Sequence, residues 1–564
     1  MPLTPSGFTA STSRRGRGRT RLLVAFVVVI VLLTAAGAGY LWKIRSDNRA
    51  LDRAATAAAG EYLSSWQSLG SSGDTATADQ NAVTAVQEQG KAGVTAVTVP
   101  GAIGVDQLVT SMIDIRAKLN VTGVRFVPGT LERTGSTATV GYSASLALAG
   151  FPEPYTYDGV LHLVRQGKAW KVQARPDSVN PALAPGLRLD RTTSTGKRGR
   201  LVDVSGQSLN SDAELAGNLV GQVAPLSGLQ RVHDAVLAPQ GGTVVVRNER
   251  NETVNTLRSY PMTDGKDVQT TLDLKVQRAG EAAMATAPKP NGALVAIDVQ
   301  TGGVLALVNH PLNGYGRAAN GRYPPGSTFK IVTATAALIA GKDANTPLDC
   351  TQTVPIGGRT FTNAEAEQFG VIPLREAFAR SCNTAFIRLE QSLPDSALEQ
   401  AAKLYGFDGS RPLPIASVGG SFPTPKDAVE SASDAIGQGR VEASPLQMAS
   451  VAAAVASGTW RQPFVAGSAA RSNPLPPAVL PPLQDFMRAV VTEGTANGVT
   501  FLGEVRGKTG TAEYKDVNPP PTHGWFVGYR GNVAFAVIVE DGGFGAVSAA
   551  PLAARFLENL GGVV

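Results

Sequence analysis

The chain has 564 residues, 43 % of them hydrophobic and 17 % charged, with a formal net charge of +6. At roughly 150 residues per domain that length asks for about three or four folded units, and the composition excludes both a single small module and a largely disordered chain. The positive charge is concentrated: residues 1–45 hold seven Lys and Arg and no acid, and the remaining chain is close to neutral at −1. No electrostatic footprint for a nucleic-acid partner is left.

Leu22 to Trp42 is a run of 21 residues without a charge. At about 1.5 Å per residue it spans roughly 30 Å, the thickness of a bilayer core, and it is expected to be a single membrane helix embedding residues 22–42 in lipid. Arg14, Arg15, Arg17, Arg19 and Arg21 precede it. The positive-inside bias therefore predicts a cytoplasmic basic tail over residues 1–21, a single-pass plasma-membrane anchor, and everything after Lys43 outside. A cleaved signal peptide is the alternative, with Ala35, Ala36 and Ala38 as a small-residue cleavage site, but its apolar region should be only about 7 to 15 residues long.

Beyond the anchor, AATAAAGEYLSSWQSL has a helical pattern and SSGDTATADQ reads as a polar loop. From about residue 120, VTGVRFV, ATVGYSASLALAG and GVLHLVRQGKAWKVQA alternate with period two, as strands of an antiparallel sheet do. An α+β domain is thus expected over 48–176. It offers no nucleophile and base at helical spacing, so a non-catalytic spacer is the expected role. Residues 177–200 carry prolines, glycines and basic residues with little periodicity, and an irregular region is expected over 177–285.

Alternation resumes in ALVAIDVQTGGVLALV, where Gly302-Gly303 reads as a two-residue hairpin turn, and 286–564 is expected to be one mixed α/β domain. Within it PPGSTFKIVTATAALIAGK is a buried helix with Ser327 at its start. Ser327 and Lys330 are three residues apart and so neighbours on a helical surface. A lysine in apolar surroundings loses the hydration that keeps it charged, and becomes able to take the proton of a serine. The bland alternative is a serine N-cap followed by a lysine that reaches out to water.

Two further pieces shift the balance. ARSCNTAF puts Ser381 and Asn383 at a loop or helix start, a hydroxyl and an amide able to hold a lysine and a substrate amide. VRGKTGTAEY puts Lys508, Thr509 and Gly510 in a short strand, where Thr509 is expected to bind a carboxylate and Gly510 to leave room for a substrate backbone. An N-cap and a surface turn are their bland readings. HGWFVGYR, Gly531-Asn532 and VAFAVIVE form a hairpin pattern, so the K-T-G strand should edge an antiparallel sheet. The phosphate-loop mimic GEVRGKT has three residues between its glycines where a P-loop has four. Only four histidines occur, His162, His233, His310 and His523, with neither a G-x-S-x-G elbow nor an H-E-x-x-H pair. A Ser-His-Asp hydrolase lacks its frame, and no metal or cofactor is expected.

In this order S-x-x-K, S-x-N and K-T-G resemble the penicillin-interacting serine enzymes. TLDLKVQRAGEAAM, GALVAIDVQTGGVLALV, AIGQGRVEASPLQMA, VTEGTANGV and WFVGYRGNVAFAVIVE are similar to penicillin-binding-protein transpeptidase sequence, so the resemblance covers residues 270–564. KRGRLVDVSGQSL resembles the start of the pedestal in class B members, with Arg198, Gly199, Asp203 and Gly206 in register, and 177–285 is the pedestal on that likeness. Residues 48–176 are similar, through their helix-then-sheet pattern and Trp170 to Val172, to the nuclear-transport-factor-two-like extension of the methicillin-resistance type. Nothing resembles a glycosyltransferase domain.

The resemblance implies a multidomain fold whose transpeptidase part, 286–564, is an antiparallel sheet flanked by helices. It implies Ser327 as acylated nucleophile, Lys330 as its base, Ser381 and Asn383 as second motif, and Lys508, Thr509 and Gly510 as third. The backbone N–H groups of Ser327 and Thr511 would form the oxyanion hole. The implied reaction is peptidoglycan cross-linking on D-Ala-D-Ala stem peptides, blocked covalently by β-lactams, with other cell-wall synthesis proteins as partners. A D,D-carboxypeptidase or β-lactamase would use the same serine with water as acceptor, and a β-lactam sensor would share the fold without turnover. Cys350 and Cys382 are expected to stay unpaired, because a bridge at Cys382 would constrain the S-x-N motif.

Overall fold

The computed structural model describes residues 17–69, 80–193, 195–409, 412–515, 517 and 519–561. It divides into two compact units, one formed by Met1–Gly196 with Pro239–Thr263, the other by Lys197–Ala238 with Asp264–Val564.

In the first unit the apolar run lies inside one long helix, Arg17–Ser68. This is the one helix among the described residues long and apolar enough to cross a membrane. It continues past the expected end at residue 42 because the alanine-rich stretch that follows contains no proline to stop it. Its last turns bury Ala55, Ala59, Tyr62, Leu63 and Trp66, one face of a helix by their spacing. The polar loop expected at SSGDTATADQ lies outside the described residues except for Gln80, which opens the helix Gln80–Val97. A third helix, Val105–Leu119, buries Leu108, Val109, Met112, Ile115 and Leu119. From its last turn Arg116 donates to the carbonyls of Trp66 (3.0 Å) and Gln67 (2.7 Å), satisfying free carbonyls at the end of the long helix.

These helices accompany a five-stranded sheet in the order Thr98–Val99, Ala169–Gln173, Tyr155–Gln166, Thr137–Leu148, Val121–Thr134, parallel at the first pair and antiparallel elsewhere. The period-two reading of its strands holds: Ala138, Val140, Tyr142, Ala144, Leu146 and Leu148 are buried on alternate positions. The stretch expected to be irregular departs from expectation. Arg188–Thr193 pairs with Gln240–Arg247, which pairs with Thr253–Thr263, in a three-stranded antiparallel sheet. RLDRTT buries only Leu189 and shows no apolar alternation, which is why composition hides the strand.

The second unit is built on an antiparallel sheet in the order Val304–His310, Gly292–Asp298, Val533–Val539, Thr522–Arg530, Arg506–Glu513. The helix Pro445–Ser457 packs on its central strands, and Leu274–Met284 and Ala550–Leu560 pack on each other and on the sheet. Every residue of Val533–Val539 is buried, so this antiparallel strand is covered on both faces and its sequence runs apolar without alternation. The hairpin turn at Gly531-Asn532 is as expected. The other hairpin differs: five residues, Val299–Gly303, join its strands, with Asp298 accepting from the backbone of Gln300 (3.0 Å) and Thr301 (2.7 Å) and Gly302 at φ 81°.

Candidate active site

Pro324 to Phe329 make a tight approach to the edge strand Arg506–Glu513 before the helix Lys330–Ile339 begins. Ser327 therefore sits in a 3₁₀ turn, Gly326–Phe329, and not in the α-helix itself. The Thr328 hydroxyl donates to Pro325 O (2.7 Å) and Trp525 Nε1 to Pro324 O (3.2 Å). Gly326 has φ 54°, its N–H donates to Gly437 O (2.8 Å), and a Cβ on it would lie 2.7 Å from Thr511 O. The expectation that Gly510 leaves room for a substrate backbone needs correcting. A Cβ there would meet Thr328 Cγ2 at 2.8 Å and Pro325 O and Trp525 Cβ at 3.1 Å, so its missing side chain lets the strand approach the serine-bearing turn.

Lys330 is fully buried, and its Nζ lies 3.1 Å from Ser327 Oγ, 2.6 Å from Ser381 O, 3.4 Å from Ser381 Oγ and 2.7 Å from Asn383 Oδ1. The serine and lysine that the spacing placed side by side do meet, and S-x-N closes around the amine. Burial pushes the Lys330 ammonium well below its usual range, and the positive charge of nearby Lys508 pushes the same way. Lys508, also fully buried, is lowered to about 7 by burial. Its Nζ donates to Thr509 O (3.1 Å) and stands 5.6 Å from the centre of the Phe378 ring.

The second motif is held in three ways. Asn383 Nδ2 donates to Thr362 O (3.1 Å). Thr384 N donates to Asn363 Oδ1 (3.0 Å), and Asn363 Nδ2 donates to Thr351 O (2.9 Å). Cys382 is joined to Cys350 by a disulfide, which overturns the expectation of two free thiols. The constraint feared for Ser381 and Asn383 is tolerated because Cys350 ends a strand, Pro347–Cys350, that already lies against the helix Asn383–Gln391. Nor did sequence reasoning pick out Asn363 or Thr495, whose Oγ1 is 2.5 Å from Thr509 Oγ1. Both lie in non-periodic loops, and only VTEGTANGV, noted as family-like text, pointed toward Thr495.

Ser327, Ser381, Asn383, Thr495, Thr509, Gly510 and Thr511 line an open cleft of about 1690 Å³. The edge strand leaves one row of its backbone groups without a ladder partner, as a cleft that binds an extended chain requires. Chemically this is a hydroxyl beside an amine poised to be neutral, with hydroxyls and a second cation behind it. That arrangement serves nucleophilic acyl transfer. Among the described residues no cluster of His, Cys, Asp and Glu could hold a metal ion.

Residues 292–558 match the family model of the penicillin-binding protein transpeptidase domain. The chain is 30 % identical over 357 residues to peptidoglycan D,D-transpeptidase PbpA of Mycobacterium tuberculosis, covering 52 % of this chain and 72 % of that one. It is 32 % identical over 383 residues to the protein of the same name from Mycolicibacterium smegmatis, covering 56 % and 75 %. Among solved structures, the penicillin G acyl-enzyme complex of penicillin-binding protein A from M. tuberculosis aligns with TM-score 0.55 and 25 % identity over 65 % of this chain and 99 % of that one. With the half-buried Ser327 on the buried Lys330, the motif that encloses the amine and the edge strand beside it all inside the matched region, the chain belongs to the class B-like penicillin-binding protein transpeptidases.

Proposed function

We propose that the chain is a peptidoglycan D,D-transpeptidase that works through an acyl-enzyme on Ser327 and is inhibited covalently by β-lactams. The observation that carries this is the contact set of the buried Lys330 Nζ, which joins the half-buried Ser327, Ser381 and Asn383 in one cluster opening on the cleft. Neutral Lys330 takes the Ser327 proton as Oγ attacks the carbonyl carbon between the two terminal D-alanines. The tetrahedral oxyanion is received by the backbone N–H groups of Ser327 and Thr511, donors of a kind whose loss typically costs about 3 to 4 kcal/mol. Collapse breaks the C–N bond, the proton goes to the departing D-alanine amine, and an amine of a second stem peptide then takes the acyl group. Lys508 and the Thr495–Thr509 hydroxyl pair hold the terminal carboxylate, and Asn383 and the edge strand align the peptide.

The apolar helix over residues 22–42 serves as membrane anchor with the basic tail in the cytoplasm, and the Cys350–Cys382 bridge fits an oxidising compartment outside. The helix Val105–Leu119 and the five-stranded sheet support a nuclear-transport-factor-two-like spacer over 48–176, followed by a pedestal within 177–285. Other cell-wall synthesis proteins are its expected partners.

The test is covalent labelling by fluorescent penicillin. Wild type should be labelled and keep its label for many minutes, and Ser327→Ala should not label. Equal labelling of Ser327→Ala sinks the assignment, and loss of label within seconds with hydrolysed penicillin accumulating would make the protein a β-lactamase.

A further inference from the structure

We propose that the Cys350–Cys382 disulfide is a positioning device of the active site: it holds Ser381 O and Asn383 Oδ1 on the two N–H bonds of neutral Lys330, so that the remaining lone pair faces Ser327. This rests on the acyl-transfer reading above and gives the bridge a part in the rate of acylation.

A neutral amine has two N–H donors and one lone pair. Ser381 O at 2.6 Å and Asn383 Oδ1 at 2.7 Å are the two nearest acceptors of Lys330 Nζ, and with both N–H bonds engaged there the lone pair is left for the Ser327 hydroxyl at 3.1 Å. The two acceptors come from the residues on either side of Cys382. A shift of that single residue moves both.

The loop is not one the chain adopts freely. Ser381 has φ 61°, a left-handed conformation that a serine keeps only where its surroundings over-determine it. From the N-terminal side, Ser381 N donates to Phe378 O (3.1 Å) and Cys382 N to Ala377 O (3.0 Å). From the other side Asn383 Nδ2 and Thr384 N donate to Thr362 O and Asn363 Oδ1, and to these is added a covalent tie: Cys382, which precedes the helix Asn383–Gln391, is bonded to Cys350, whose strand is fixed by its pairing with Gly370–Pro373. Cys350 is 0 % and Cys382 2 % exposed. Reduction, which also needs room for two thiols where one bond stood, and replacement of both cysteines by alanine alike remove this tie, and any shift of the freed Cys382 carries Ser381 O and Asn383 with it.

Reduction by dithiothreitol is the direct test: the reagent's two thiols become its cyclic disulfide, and two electrons and two protons convert the bridge to Cys350 and Cys382 thiols. Full-length protein in detergent is labelled with fluorescent penicillin between pH 5.5 and 9.5 in three forms: oxidised, reduced with thiols counted by mass spectrometry, and Cys350→Ala/Cys382→Ala. Oxidised protein should label at Ser327. The reduced and double-variant forms should melt cooperatively but label about tenfold more slowly or worse, the order expected when a reacting group is misplaced. Their acidic limb should move to higher pH, because water reaching the loosened amine restores its affinity for a proton, and reoxidation should reverse the change in the reduced protein. A bridge that served only the fold would leave the pH limb where it is. The proposal is overturned if either bridge-free form labels at the oxidised rate with an unchanged limb, or if both lose their cooperative melt. Failure of the oxidised protein to label would instead remove the acyl-transfer reading.

Discussion

At the scale of single residues the site depends on two buried lysines, of which Lys508 lowers the proton affinity of Lys330. Lys330 is moved well below its usual range by burial and by the charge of Lys508, while Lys508 is lowered to about 7 by burial alone. The sign of a pH experiment follows. Below about pH 7 Lys508 is charged and opposes protonation of Lys330, which keeps the base available in acid. Replacing Lys508 with methionine removes that opposition, so Lys330 binds its proton more tightly. The rise of penicillin acylation with pH should then move to higher pH in Lys508→Met, besides the slower labelling expected from weaker carboxylate binding. Acylation rates across pH 5 to 9 read both effects, and a limb that stays in place or moves to lower pH would exclude charge coupling between the lysines. The approach of Lys330 to Ser327, Ser381 and Asn383 was legible because each motif is short and local, the first contact through helical spacing and the others through the motif resemblance. Asn363 and Thr495 were not, because their contacts join segments distant in sequence and no periodicity marks either one.

Secondary elements place these residues through close backbone approach more than through side chains. The serine-bearing turn is wedged between the Gly437 turn and the edge strand. A Cβ at Gly437 would meet Gly326 O at 2.1 Å, and one at Gly510 would meet the fully buried Thr328 side chain at 2.8 Å. Gly510→Ala therefore forces either the strand or the turn to move, with an overpacking cost of about 1 to 3 kcal/mol. Its expected outcome is a lower melting temperature together with loss of most penicillin labelling. Gly498→Ala, where nothing lies within 4 Å of the added atom, is the matched control and should change neither. Labelling of Gly510→Ala at the wild-type rate would show that the turn and strand are less tightly fitted than this. The strands of the first sheet were legible because half-buried strands alternate, and the hairpin at Gly531-Asn532 because a turn pair sits between two apolar runs. The five-residue loop at Val299–Gly303 was misjudged as a two-residue turn because Gly-Gly mimics one, and the Asp298 side chain that organises the loop acts one residue before it. The disulfide was misjudged for a related reason: Cys350 and Cys382 are 32 residues apart, and only the packing of the strand Pro347–Cys350 against the helix Asn383–Gln391 brings them together.

For the whole molecule, the order of segments matters more than any expected boundary. The chain passes from one compact unit to the other at 196–197, returns at 238–239 and crosses again at 263–264. A deletion of 48–176, the spacer as drawn from sequence, would leave Arg188–Thr193, Gln240–Arg247 and Thr253–Thr263 behind. Leu189, Val244, Val246 and Tyr260, buried in one core cluster with the five-stranded sheet, would then face water. Exposing a contiguous apolar face of that kind promotes aggregation. A cut that follows the units removes residues 1–196 as well as 239–263. The second gap is easily closed, because the two strands of chain that flank it lie side by side: Lys266 N donates to Val236 O (2.9 Å), Gly199 N donates to Leu237 O (2.8 Å), and a Cβ on Gly265 would touch Leu237 O. A short glycine linker from Ala238 to Asp264 costs little loop entropy. Residues 197–238 joined in this way to 264–564 should be soluble, melt cooperatively and take fluorescent penicillin on Ser327 at a rate within a few fold of the full chain, while the 48–176 deletion should aggregate. Gel filtration and labelling of the two proteins side by side decide it. A soluble, cooperatively melting 197–238/264–564 protein that fails to label would show that the first unit takes part in acylation and is no mere spacer.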